Sequence, residues 1–170
     1  MKIAASLYTE RMIYDTQHAP EIEEVVKAWQ SYIATMGKWQ EVVDGIVPKE
    51  TDCGPIYELD DSQARPHESF AISDMRDVRV AKPHYHTGET EIYIVLSGSG
   101  LTVVGGEELR IHTGDVVITP PQTAHFTIPD HNLVMAVINT PPFNPANVMP
   151  LDTTHTEVKY DHDQYTKLTA

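Results

Sequence analysis

Beyond Ser69 the chain breaks into seven short runs rich in β-branched and aromatic residues, and this texture constrains the fold more than any other feature of the sequence. The runs cover 72–80, 92–96, 101–104, 109–111, 116–119, 125–128 and 133–138. Turn-forming stretches interrupt them, namely Ser97-Gly98-Ser99-Gly100, Gly105-Gly106, Thr113-Gly114-Asp115 and Pro129-Asp130-His131-Asn132. No helical period falls among the runs, so a parallel sheet with crossover helices is excluded. An antiparallel sandwich or closed barrel remains, and the expected fold class is all-β.

The region before the strands reads differently. Ile22, Val25, Val26, Trp29, Tyr32, Ile33 and Met36 recur at helical spacing, Pro20 suits a first helical position and Gly37 a left-handed stop. This predicts an amphipathic helix whose apolar stripe packs on the barrel or on a second subunit. Residues 41–66 then mix glycines, prolines and aspartates around one apolar stretch at 56–59, which reads as a connector with one strand. The expected organisation is an N-terminal helix and connector over 1–66, a barrel over 67–145 and a polar C-terminal extension over 146–170.

Charge and cysteine usage narrow the partners. With a formal charge of −13, the protein is repelled by phosphate backbones and anionic membrane surfaces, so nucleic acid is not an expected partner. The longest apolar run, 133–138, is too short to span a bilayer. The single cysteine, Cys53, has no intramolecular partner, and no pair of cysteines marks a zinc knuckle or redox dithiol; a reducing, cytoplasmic compartment is expected.

Chemistry concentrates in Pro83-His84-Tyr85-His86-Thr87-Gly88-Glu89-Thr90-Glu91. Two imidazoles at i and i+2 on a strand share one face, and a carboxylate follows after a turn that contains Gly88. A third imidazole, His125, opens a strand about forty residues further on, and an antiparallel barrel can bring such strands together. Parity alone leaves Glu89 and Glu91 both open as the carboxylate ligand. Of the other histidines, His18, His67, His131, His155 and His162 fit no ligand spacing, and His112 is a spare.

The spacing His84-x-His86-x4-Glu91-x6-Gly98 resembles the first motif of the cupin superfamily, and Gly114-x5-Pro120-x4-His125 resembles most of its second. The departures are Val78 and Gln122, where the motifs usually have glycine, and Pro129, where the second often ends in asparagine. Phe143 within Pro141-Pro142-Phe143-Asn144-Pro145 is similar to the ending of compact single-domain bacterial cupins described as mannose-6-phosphate isomerase-like. The resemblance implies a cupin jelly-roll β-barrel. It also implies one divalent transition metal, Fe, Mn, Ni or Zn, on His84, His86, Glu91 and His125, which ranks Glu91 above Glu89 as the ligand.

A His3Glu set leaves positions free for water, dioxygen or substrate on a six-coordinate metal. Tyr93 and Val95 share the parity of Glu91, Thr127 that of His125, and Gln122 brings an amide to the barrel mouth, so Tyr93, Glu89 and Gln122 are the candidate catalytic side chains. The leading expectation is a mononuclear Fe(II) dioxygenase-type enzyme on a small organic substrate. Two alternatives are a redox-neutral isomerase or lyase and a non-catalytic small-molecule-binding cupin. Exposed edge strands predict a homodimer.

Overall fold

In the computed structural model, residues 4–6, 27, 38–59, 67–152 and 158–170 are described. The helix expected over 21–36 lies outside them, apart from Lys27. In chain order the elements are β1 (Ala4–Ser6), α1 (Trp39–Val42), β2 (Lys49–Thr51), β3 (Gly54–Glu58), β4 (Ser69–Asp74), β5 (His84–His86), β6 (Thr90–Val104), β7 (Glu107–His112), β8 (Asp115–Thr119), β9 (His125–Thr140), a 3-10 turn (Pro145–Asn147), β10 (Val148–Pro150) and α2 (His162–Thr169). No described helix is long and apolar enough to cross a membrane.

The ten strands form one curled antiparallel sheet in the order β1-β8-β6-β9-β4-β3-β2, with β7 on β6 and β5 bridging β9 to β10. Two long strands organise it. The first part of β6 pairs with β8 and its last part with β7, while β9 lies beside β6 along almost its whole length. The C-terminal part of β9 also pairs with β4 and its first residue with β5. β6 and β9 therefore run through both halves of the barrel.

Ser97–Gly100 and Pro129–Asn132, read from sequence as turns, lie inside these two strands and face each other. The register shifts at three points between Val95 and Gly100, and the shifted segment bends the sheet from one half into the other. Gly98 has φ +80° and Asn132 φ +49°. A Cβ on Gly98 would run into the backbone carbonyls of His131 and Asn132, so the close approach of two backbones requires glycine here.

The run expected over 72–80 stops at Asp74. That carboxylate accepts from the Arg76 backbone N–H and from its Nε and Nη2, at 3.2, 2.8 and 2.6 Å, and this local bonding turns the chain out of the sheet. Both flanking regions add strands: β2 and β3 extend β4, and β10 pairs with β5. In the polar tail, α2 carries no apolar period to betray it. It is started by Asp161, whose side chain accepts from the N–H groups of Asp163 and Gln164.

Strand alternation divides the core. Phe70, Ile72, Ile92, Ile94, Val116, Ile118, Val134, Ala136 and Ile138 form the outer layer, against which Trp39, Val43, Tyr57, Leu59 and Leu96 pack. Met75, Tyr93, Val95, Val117, Leu133, Met135 and Val137 point the other way, into the barrel. Each fully buried Ile or Val in these layers contributes about 1.5–3 kcal/mol, and this burial holds the walls that position the site.

Candidate metal centre

Three strands deliver the four expected ligands to one place. β5 carries His84 and His86 on the same face, Glu91 is the second residue of β6, and His125 begins β9 directly opposite His84. One ligand atom from each of the four side chains lies within 4.8 Å of the others, and all four residues are buried. The His84 and His125 ring centroids are 4.3 Å apart, and His86 stands 5.3 and 5.5 Å from them.

Backbone carbonyls orient two of the rings. His84 Nδ1 donates to the Lys82 carbonyl and His125 Nδ1 to the Thr123 carbonyl, each at 2.9 Å. A carbonyl accepts only, so the proton of each neutral ring resides on Nδ1 and the Nε2 lone pair turns into the cluster. Burial, together with the facing His125, pushes the His84 pKa down to about 4, so that ring is neutral at neutral pH.

Glu91 is ionised. Burial pushes its pKa up, but His125 and His86 outweigh this and hold it well below the usual carboxylate range. For His86, burial pulls the pKa down and the Glu91 carboxylate more than reverses it. Tyr93 donates its hydroxyl to Glu91 Oε2 at 2.6 Å, and burial and that negative charge push its pKa well above the ordinary phenol value.

The donor set fits a cation. His125 Nε2 lies 2.9 Å from Glu91 Oε2 and His86 Nε2 3.4 Å from Oε1, while both ring nitrogens of His86 and the Nε2 of His125 are buried without a hydrogen-bond partner. A lone pair facing a carboxylate oxygen across 2.9 Å is repulsive unless a proton or metal ion lies between them. His84, His86, Glu91 and His125 could together hold one such ion.

The cluster forms part of the wall of a cavity of about 710 Å³, within the size range of small-molecule sites. Tyr93, Cys53, Asn139, Ile56, Met135 and Val137 line it as well. Of the side chains proposed as catalytic from sequence, Tyr93 is at the ligands. Glu89 is buried but does not line this cavity, and its carboxylate accepts from Asn147 Nδ2, Asn144 N and Gly88 N at 2.8, 3.1 and 3.3 Å. Gln122 is exposed, has φ +56° and is not a lining residue; its backbone N–H donates to the His86 carbonyl at 2.7 Å.

Residues 76–139 match the family model described as Cupin domain. The barrel is a cupin jelly roll. Similar solved structures agree. The Streptomyces protein PAC13 with uridine bound is 15% identical with a TM-score of 0.57, the alignment covering 65% of this chain and 88% of that one; Pac13 is described as a nucleoside dehydratase. A Planctomyces limnophilus protein is 22% identical over 63% of this chain and 91% of its own, with a TM-score of 0.57. The oxalate decarboxylase of Lactobacillus farciminis, in a formate complex, is 18% identical over 64% of this chain and 34% of its own, with a TM-score of 0.55. At these identities the likeness is one of fold, and with the family match it supports the cupin superfamily. No curated protein matches the sequence.

Sequence reasoning missed several residues of this cavity. Cys53 enters from the β2–β3 turn, and burial and the Glu91 charge push its thiol up to about 12. Phe143 meets His86 edge-on, centroids 6.0 Å apart. Asn139 stands opposite Glu91 on the neighbouring strand. Only the tertiary register brings these residues to the ligands, and no spacing rule would have found them.

Proposed function

We propose that this protein is a mononuclear metal-dependent cupin enzyme acting on a small organic molecule, with an Fe(II) dioxygenase-type reaction as the leading reading. One observation carries it: three inward imidazoles and one ionised carboxylate meet without enough protons to satisfy them, at the wall of a cavity large enough for a substrate. Bound there, Fe(II) would supply a site for substrate and dioxygen, and Zn or Mn a Lewis acid.

The chain's own residues orient and exclude. Tyr93 keeps its proton and holds Glu91 Oε2 in place. Ile56, Met75, Met135 and Val137 keep water from the wall, and Phe143 borders His86. Glu89 and Gln122 have less support in a reacting role, because the first carboxylate is already engaged by three N–H donors and the second side chain is exposed.

A redox-neutral lyase or isomerase is the second reading; the dehydratase and decarboxylase activities of fold relatives favour it. A sugar phosphate suits the site poorly. The two lysines that line the cavity are engaged, Lys49 with Glu58 at 2.6 Å and Lys82 with Asp52 at 2.8 Å, which speaks against the activity that the mannose-6-phosphate isomerase-like ending would imply.

Oxygen uptake by the Fe(II)-loaded protein with catechols, thiols and β-diketones tests the leading reading, and turnover of the zinc form under argon tests the second. Uptake is expected with the wild type and not with His86→Ala. Silence of the iron form across the panel overturns the oxygenase reading, and less than one bound ion per chain overturns both. Light scattering checks the proposed homodimer, which a monomer mass would contradict.

A further inference from the structure

Among the described residues two buried groups beside Glu91 are left without a partner, the Thr119 hydroxyl and the Asn139 amide, and of the two Asn139 lines the cavity. On one side of Glu91 in β6 the register places Thr119 of β8, on the other Asn139 of β9, and beyond Asn139 lies Ser69 of β4. Opposed side chains of neighbouring strands sit roughly 4.5–5.5 Å apart at Cβ, so Asn139 is the immediate lateral neighbour of the metal-ligating carboxylate. It is only 4% exposed and lines the cavity. Among the described residues its Nδ2 has no hydrogen-bond partner. A buried amide N–H without an acceptor is costly and persists where something outside the chain satisfies it.

The next rows of the wall say what that occupant resembles. Tyr93, Val137 and Ala71 form the second row, and Val95, Met135 and Ser73 the third. Apart from the Tyr93 and Ser73 hydroxyls and the Met135 thioether, these two rows are hydrocarbon. The two lysines that line the cavity already have carboxylate partners, Lys49 with Glu58 and Lys82 with Asp52, so an anionic ligand would find no free lysine among the described lining residues.

We infer that Asn139 is a substrate-binding residue whose Nδ2 donates to a carbonyl oxygen of a neutral, largely apolar molecule held against the His84–His86–Glu91–His125 cluster. The inference rests on the proposed metal-dependent reading and names the substrate class for that site. Asn139 fixes the carbonyl from the side of the cavity on which Glu91 stands, while the apolar rows accept the remainder of the molecule.

The test compares 2-hydroxyacetophenone with 2-phenylethanol, which lacks the carbonyl, by calorimetry on the zinc-loaded and the metal-free protein. The wild type is expected to bind the ketone about tenfold more tightly than the alcohol. Asn139→Leu should bring that ratio close to one while leaving the thermal midpoint of the metal-free protein unchanged or raised by about 2–4 °C, because hydrocarbon replaces a donor without an acceptor. Asn139→Ala, which removes the donor without adding hydrocarbon bulk, should lose the preference too and decides the matter if the leucine variant does not fold. Equal binding of both probes by the wild type, a preference that survives in either variant, or a lowered midpoint for a folded Asn139→Leu overturns the inference. Stoichiometric zinc without a ketone preference defeats this inference alone, whereas a ketone preference without zinc binding defeats the metal reading alone.

Discussion

His84 and His125 use the same local device, a ring Nδ1–H donated to the carbonyl two residues back, so each ring is aimed before any ion arrives. Tyr93 plays the corresponding part for Glu91. Removing that hydroxyl in Tyr93→Phe is expected to weaken metal affinity by roughly 10–100-fold, read by competition with a chromophoric chelator. Cys53 makes a second residue-scale prediction. A thiol pushed up to about 12 holds very little thiolate at pH 8, so iodoacetamide should label the native protein on the order of a hundredfold more slowly than the urea-unfolded chain, with mass spectrometry as the readout.

Within single elements the sequence was legible where the physics is short-ranged. The His84-x-His86 spacing needs only strand alternation to put two rings on one face, and Ile92, Ile94 and Leu96 turn away from Glu91, Tyr93 and Val95 as their parity requires. Legibility failed where local chemistry was overruled. Ser97–Gly100 has turn composition, yet β9 supplies a partner strand opposite it, and what read as two separate turns is one bend shared by β6 and β9. Helix α2 escaped notice because its cap, rather than a stripe, announces it. Asn139 was invisible for a third reason: its place beside Glu91 exists only once strands 48 residues apart in sequence are in register. The bend predicts that Gly98→Ala, forced into positive φ against two carbonyls, costs at least about 2 kcal/mol in urea unfolding.

For the whole molecule, acid should act in part through Asp74. Burial pushes this carboxyl up, but the hydrogen bonds from Arg76 more than compensate and lower its pKa. A carboxyl lowered in the fold stabilises at pH values above its unfolded pKa, and the contribution disappears as pH falls through the folded one. Asn in place of Asp74 should therefore cost on the order of 1 kcal/mol at pH 7, modest because the Arg76 side chain is 48% exposed. The difference should narrow below about pH 4 and close once folded and unfolded carboxyls are both protonated, as paired urea titrations would show.

Strand β5, with two of the four ligands, is fastened on one side by a single residue pair to β9 and on the other by three pairs to β10. A chain shortened after Asn147 would keep every coordinating atom and still forfeit the ion, since the part cut away is the clasp that holds the imidazole-bearing strand against its fellows. Gel-filtered truncated protein should emerge with strand circular dichroism largely intact and metal content near zero. In this molecule the capacity to grip a cation is written as much in Val148, Met149 and Pro150 as in the histidines themselves.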